Sequence, residues 1–200
     1  MVVMNADQVA ALRALLGPSG WMEQTQEFSR ALRVSARTPG GLLLVGTPDD
    51  EPWHLTAHLD DESRLAGIPG LAPTLVRWSP PADAPAHLRV GMARLEAARR
   101  GETLLVVSAE AAPASLLERV DDARRTGATI LALDQGDPEL DGLAHESLIV
   151  PAGSALVSFD AAQHLVSAAA GGQHDRPRDR SLRRRLARLL DALSGTPPPG

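Results

Sequence analysis

Residues 101–151 read GETLLVVSAEAAPASLLERVDDARRTGATILALDQGDPELDGLAHESLIVP, and this stretch decides the fold. It contains three short runs of consecutive apolar residues, at 103–107, 129–133 and 147–150, with segments of helical pattern between them. Continuous apolar runs, as opposed to alternating ones, are typical of strands that are buried on both faces, as in a parallel sheet. The stretch therefore predicts three parallel strands joined by helices.

Two more apolar runs lie upstream, at residues 42–45 and 74–78, and they bring the predicted strands to five. Segments of helical pattern alternate with the strands, and one follows the last strand; they cover residues 50–66, 85–99, 113–126, 138–144 and 159–170. Pro85, Pro113 and Pro138 stand where the first turn of a helix tolerates proline. This alternation predicts an α/β fold: a three-layer, doubly wound, five-stranded parallel sheet of the flavodoxin-like type.

The chain divides into four segments around this sheet. The first holds two predicted helices, 6–16 and 21–36, that pack on the core or on a dimer partner. The segments are 1–40 with these helices, 41–170 with the α/β domain, 171–180 as a flexible linker, and 181–200 as an Arg-rich amphipathic helix with a frayed tail. The linker is predicted from its glycine, proline and alternating charges, which bury little apolar surface.

The composition of the 200 residues is that of a globular protein, with 44% hydrophobic and 22% charged residues. The sequence contains no cysteine, lysine or tyrosine, which excludes thiolate ligands, Schiff-base lysines and tyrosine nucleophiles. No apolar run reaches the roughly 18 residues that a membrane span needs, and no secretory signal is recognisable. We therefore expect a cytoplasmic protein that has no membrane contact and no cofactor.

Charge is distributed unevenly along the chain. Residues 1–170 hold 13 Arg against 22 acidic residues, and residues 171–200 hold 7 Arg against 3 Asp. An acidic body repels nucleic acid, and the leucine stripe of the last helix requires burial. This pattern argues against a nucleic-acid partner and predicts that the C-terminal helix packs on protein, either on its own body or on a second copy.

Several short motifs within the deciding stretch resemble the second half of a sugar isomerase (SIS) domain. Arg-Arg-Thr-Gly-Ala-Thr at 124–129 is similar to the turn before that family's next strand, and Leu-Ala-His-Glu at 143–146 with Val-Pro at 150–151 is similar to its last strand. The resemblance implies strand order 2-1-3-4-5, self-association as a homodimer or larger oligomer, and a ligand site between loops 46–51 and 108–113. A small polar or sugar-like ligand is expected there.

The two predicted ligand loops differ from the family's pattern. Where the family has Ser-x-Ser-Gly-x-Thr, this chain has Ser-Ala-Glu-Ala-Ala-Pro at 108–113, and loop 46–51, Gly-Thr-Pro-Asp-Asp-Glu, carries three acids. Acids disfavour a phosphate and favour a cation, an amine or a neutral polyol. The candidate ligand-binding residues are Gly46, Thr47, Ser108, Glu110 and Ser115.

The sequence consequently predicts a non-catalytic, SIS-like binding or scaffold protein. The alternative is a sugar-phosphate or amino-sugar isomerase in which His164 is the base and Glu51 or Glu110 its partner, because some isomerases of this fold use a histidine and a carboxylate for proton transfer.

A second alternative concerns a metal site. His54 and His58 are spaced i, i+4 with Asp61 one turn on, which is a metal-compatible spacing. The string Ala-His-Leu-Asp-Asp-Glu at 57–62 also resembles a motif of zinc-dependent N-acetylglucosamine deacetylases. A packed, hydrogen-bonded histidine pair on the flank of a helix explains the same residues.

Overall fold

The computed structural model describes residues 20–154 and 157–172, and every strand of its five-stranded sheet runs parallel to its neighbours. The strands are β1 (Leu42–Val45), β2 (Pro73–Leu75), β3 (Thr103–Ser108), β4 (Thr129–Asp134) and β5 (Glu146–Ile149). Their spatial order is β2-β1-β3-β4-β5. The predicted α/β fold and its strand order are confirmed. Among the strands, the largest difference in bounds is at β2, which ends at Leu75 instead of residue 78.

Helices cover both faces of this sheet. Within the described ranges they are α1 (Gly20–Ser35), α2 (Trp53–Ala66), α3 (Ala93–Glu96), α4 (Ala114–Arg125), α5 (Pro138–Leu143) and α6 (Phe159–Ala170), with 3-10 turns at Pro69–Leu71 and Ala86–Leu88. α6 has the bounds that the sequence predicts, α4 is one residue shorter than predicted at each end, α5 ends one residue earlier, and α2 begins at Trp53 instead of residue 50. Proline, glycine and Asx or serine caps mark most of these ends, which explains the agreement.

The prediction of one helix over residues 85–99 is wrong. The segment forms the short turn Ala86–Leu88, a bridge between Gly91 and Arg77, and the four-residue α3. The backbone N–H of Arg77 donates to the carbonyl of Val90 at 2.8 Å, so this part of the chain runs extended beside the end of β2. The carbonyl of Val90 therefore accepts from a residue outside the segment, and the backbone at residues 89 and 90 is not helical.

The sheet separates two apolar layers, since successive side chains of a strand point to opposite faces. On one face the inward residues of α1, α2 and α6 pack on alternate strand residues; they include Phe28, Leu32, Leu42, Leu44, Leu55, Leu59, Leu105, Leu131 and Val166. On the other face α3, α4 and α5 pack on the remaining strand residues; this layer includes Leu43, Val45, Leu95, Leu104, Val106, Leu116, Val120, Ile130 and Leu140. α2 and α4 therefore cover opposite faces, and the strand order reverses between β1 and β3.

The apolar face of α1 is covered within the same chain. Phe28 and Leu32 are fully buried, and the hydroxyl of Ser29 donates to the carbonyl of Val166 in α6 at 3.2 Å. The inward face of α1 thus needs no second copy to exclude water. Among residues 20–154 and 157–172, no helix combines the length and apolar character needed to cross a bilayer.

Several predicted segments lie outside the described residues. These are the helix at 6–16, the part of the linker after residue 172, and the Arg-rich helix and tail at 181–200. The first linker residue, Gly171, caps the end of α6.

Gly70 generates the first testable prediction. A Cβ at this position would lie 2.1 Å from the carbonyl oxygen of Ala36, whereas a Cβ at Gly142 in α5 would meet nothing within 4 Å. Gly70→Ala should therefore lower the free energy of unfolding by about 1–3 kcal/mol. Gly142→Ala should raise it by up to about 1 kcal/mol, because alanine favours a helix interior.

Chemical denaturation of both variants checks this prediction. The neighbour of Gly70 is backbone, which cannot move aside as a flexible side chain can. Equal stability of the two variants would contradict the packing described for the turn between α2 and β2.

Candidate functional site

The loop after β1 folds tightly back on the end of its strand. A Cβ on Gly46 would lie 2.0 Å from the carbonyl oxygen of Asp50 and 2.8 Å from the ring of Pro52, so only glycine fits. Thr47 is buried, and its hydroxyl accepts a hydrogen bond from the N–H of Asp50 at 3.2 Å. Of the predicted ligand residues, Gly46 and Thr47 therefore shape the loop and present little surface to a ligand.

Glu51 joins this loop to the end of β2. Its carboxylate pairs with Nε of Arg77 at 2.8 Å and accepts from the N–H of Trp78 at 3.1 Å. The indole N–H of Trp78 in turn donates to the carbonyl of Gly46 at 2.9 Å. The Arg77 guanidinium lies 4.7 Å from the ring centroid of Trp53, within cation–π range. The partner of the Glu51 carboxylate is therefore the side chain of Arg77.

An open cleft of about 440 Å³ lies between these two strand ends. Two tryptophans, two aspartates and the Glu51–Arg77 pair dominate its lining, which consists of Pro48, Asp49, Asp50, Glu51, Trp53, Arg77, Trp78 and Ser79. The sequence predicts a site between loops 46–51 and 108–113. The cleft uses the first of these loops, with the end of β2 in place of the second loop.

The loop after β3 is occupied by groups of the chain itself. Ser108 is fully buried, and its hydroxyl donates to the carbonyl of Glu110. The N–H of Ala112, just before α4, donates to the Asp137 carboxylate at 2.8 Å, and the next residue, Pro113, has no N–H. The start of α4, where an anion would bind in this fold, therefore already has a carboxylate next to it. Glu110 and Ser115 are exposed nearby.

Asp134, at the end of β4, is a buried acid that sequence reasoning missed. Its Oδ1 accepts from the N–H groups of Gly136 and Asp137, and its Oδ2 is buried and has no hydrogen-bond partner among the described residues. Burial raises the pKa of Asp134, and the nearby carboxylates of Asp141 and Asp137 raise it further, against the two N–H donors. The signal in the sequence is Asp-Gln-Gly-Asp at 134–137, an acidic turn directly after a buried strand.

His164 lies at the surface of α6, against α2. Its ring centroid is 4.2 Å from that of His58, with the ring planes at 60°. Partial loss of water around the ring lowers the pKa of His164, and His58 and His54 lower it further, while Asp160 acts in the opposite direction. The predicted base therefore packs against a second histidine.

The predicted metal alternative gains no support from this geometry. Asp61 pairs with Arg64 at 3.5 Å. In the part of the chain that the structure describes, no group of three histidine or acidic side chains is arranged to hold a metal ion. His54 and His58 keep the predicted i, i+4 spacing on α2.

Three solved structures share this architecture. A proposed phosphosugar isomerase from Silicibacter pomeroyi is 19% identical with a TM-score of 0.57, over 93% of this chain and 53% of that one. A proposed sugar-binding protein from Salmonella typhimurium is 16% identical with a TM-score of 0.58, over 94% and 53%. The sugar isomerase domain of an RpiR transcription factor from Sphaerobacter thermophilus is 17% identical with a TM-score of 0.54, over 91% and 94%.

These likenesses identify the fold as that of sugar isomerase domains. The chain spans about half the length of the first two structures and nearly all of the third. No protein-family model and no curated protein matches the sequence.

Asp134 generates a prediction on stability and pH. The pKa of Asp134 is raised in the folded protein from its ordinary value of 3.8. The folded state therefore loses stability relative to the unfolded chain as the pH rises above that value and Asp134 ionises. Asp134→Asn removes the charge and keeps an oxygen for the N–H groups of Gly136 and Asp137. We expect the variant to be more stable than wild type at neutral pH, an advantage that shrinks as the pH falls towards 4 and the wild-type carboxyl takes up its proton. Urea unfolding across this pH range, with exposed Asp83→Asn as control, measures it.

His164 generates a prediction with the opposite pH dependence: its contribution to stability becomes less favourable as the pH falls. Because its pKa is lowered on folding, the unfolded chain takes up the proton first as the pH falls below about 6.5. The wild-type protein should therefore lose stability between pH 7 and pH 5 relative to His164→Gln. Urea unfolding at both pH values is the measurement, and His87→Gln, on an exposed turn, is the matched control. A pH response identical in wild type and His164→Gln would contradict the packing of His164 against His58.

Proposed function

We propose that this protein is a non-catalytic binding or scaffold protein with the sugar isomerase fold, which recognises a small polar, sugar-like ligand at the carboxyl ends of its strands. One observation carries the proposal. The N–H of Ala112 before α4, which a phosphosugar-binding loop offers to phosphate, donates to the chain's own Asp137 carboxylate. A phosphate would have to displace this carboxylate from the hydrogen bond.

Electrostatics support the same conclusion. The exposed Glu110 lies in this loop, and its repulsion of a phosphate at about 4 Å with an effective dielectric constant of about 20 is on the order of 4 kcal/mol. Ala111 stands where the family pattern has the glycine that allows a close backbone approach. Together these residues disfavour a phosphosugar in the position that the fold suggests.

The arrangement of the candidate catalytic residues also favours binding over catalysis. Proton transfer between adjacent carbons needs a base and an acid within hydrogen-bond reach of one substrate. Glu51 is held by Arg77, and His164 packs against His58 on the helical layer. An isomerase with His164 as base and Glu51 or Glu110 as partner is the second candidate function, favoured by the likeness to a proposed phosphosugar isomerase.

A thermal-shift panel separates the two functions. The panel contains pentose and hexose phosphates, free amino sugars, neutral sugars and nucleotide sugars. We expect saturable stabilisation by an unphosphorylated sugar-like compound and no turnover of any sugar phosphate. Stabilisation by a sugar phosphate, together with isomerisation that His164→Ala abolishes and His87→Ala retains, would establish the enzyme instead.

We also propose that the protein is cytoplasmic, needs no cofactor and associates with itself. Exposed apolar side chains at the ends of α1 and α2, Val34 and Leu65, are available for such contacts. Light scattering coupled to size-exclusion chromatography at micromolar concentration should give at least a dimer mass. A monomer mass would remove self-association from the proposal and leave the ligand site unaffected.

A further inference from the structure

The cleft between the ends of β1 and β2 combines aromatic faces with unpaired acids. Trp53 is 40% exposed, and Trp78 is half-buried beside it. Asp49 and Asp50 are exposed, and among the described residues neither carboxylate has an ion-pair partner. The lining therefore holds three acids and one arginine, and that arginine is already paired with Glu51.

We propose that this cleft binds a polyhydroxylated ring that carries an ammonium group and no phosphate, of which a free amino sugar is the simplest member. The inference rests on the proposed function and names the ligand class of its site. The ring stacks on Trp53 or Trp78, and the ammonium group lies at Asp49 and Asp50. Aromatic faces bind sugar rings and cations, and charge-assisted hydrogen bonds to carboxylates orient an ammonium group.

Arg77 explains why the cleft selects against anions. Among the described residues that line the cleft it is the one basic side chain, its Nε is 2.8 Å from Glu51, and its guanidinium lies over the Trp53 ring. A phosphate that used Arg77 would have to break this pair and would then meet Asp49 and Asp50. The cation–π contact already places a positive charge over one face of the Trp53 ring.

Intrinsic fluorescence provides a direct readout, since two of the chain's three tryptophans line the cleft. The full chain is titrated with glucosamine, glucose, N-acetylglucosamine and glucosamine 6-phosphate. We expect a saturable change with glucosamine, binding weaker by about ten-fold for the two neutral sugars, and weaker binding still for the phosphorylated compound. Added salt should weaken glucosamine binding, because the carboxylates are exposed.

Variants assign the signal to the named residues. Asp49→Asn with Asp50→Asn should weaken glucosamine binding by about ten-fold and bring it to the level of glucose. Glu118→Gln with Glu139→Gln removes two exposed acids from α4 and α5, on the other face of the sheet, and should leave binding unchanged. Trp53→Ala should reduce the fluorescence change, which Trp78 continues to report, and Leu65→Ala, which truncates another exposed apolar side chain of α2, should leave it unchanged.

The outcomes distinguish this inference from the proposed function. If glucose binds as tightly as glucosamine, and the paired aspartate variant binds both unchanged, the ligand class is wrong and the sugar-binding function stands. If glucosamine 6-phosphate binds most tightly, the ligand class is wrong and the enzyme alternative gains. If none of the sugars binds in the titration or in the wider thermal-shift panel, both the inference and the proposed function are overturned.

Discussion

The rest of the structure depends on the central strand β3, whose six residues from Thr103 to Ser108 are all buried. Parallel neighbours β1 and β4 satisfy its backbone on both edges, and helical layers cover its side chains on both faces. Leu105 packs towards α1, α2 and α6, while Leu104 and Val106 pack towards α3, α4 and α5. A parallel sheet requires this two-sided cover, and the connections that provide it bring every strand's carboxyl end to one edge.

The backbone N–H groups of the loops at that edge need hydrogen-bond acceptors. In this chain, carboxylates of the chain itself are the acceptors for several of them. Glu51 accepts from Trp78, Asp134 accepts from Gly136, and Asp137 accepts from Ala112 as well as from the start of α5. A fold of this type leaves the switch point between β1 and β3 available to ligands. Here internal carboxylates take up the donors on the β3 side, and the open cleft lies on the β2 side.

Most of the fold was predictable because its signals are local. Continuous apolar runs locate β1 and β3, and an N-terminal serine with a terminal glycine gives α6 its bounds. The segment at 85–99 was not predictable in this way. Its apolar residues have a helical spacing, but the hydrogen bond from Arg77 to Val90 joins residues 13 positions apart, and no local pattern contains it.

The site was predictable only in part, for the same reason. The acids of loop 46–51 and the absence of the family's Ser-x-Ser-Gly-x-Thr pattern indicated an unfavourable environment for phosphate. The partners of these acids depend on tertiary structure: Arg77 is 26 residues from Glu51, and Asp137 is 25 residues from Ala112. The sequence allowed Glu51 a catalytic role in the alternative isomerase function, because no local pattern identifies the arginine that pairs with its carboxylate.

The proposed function gives this architecture a ligand preference opposite to that of a phosphosugar-binding loop, which is consistent with the general rule that fold and function are separable. Backbone N–H groups and small hydroxyls at the strand ends attract an anion, as long as nothing else uses them. Once Asp137 uses the N–H of Ala112, the remaining field at this edge is set by exposed acids, among them Asp49, Asp50 and Glu110. Arg77 neutralises the charge of Glu51. The carboxylates of Asp49, Asp50 and Glu110 have no ion-pair partner in the described part of the chain. Under the proposed function, the edge that would hold a phosphate in a phosphosugar-binding loop is in this chain an environment for positive charge.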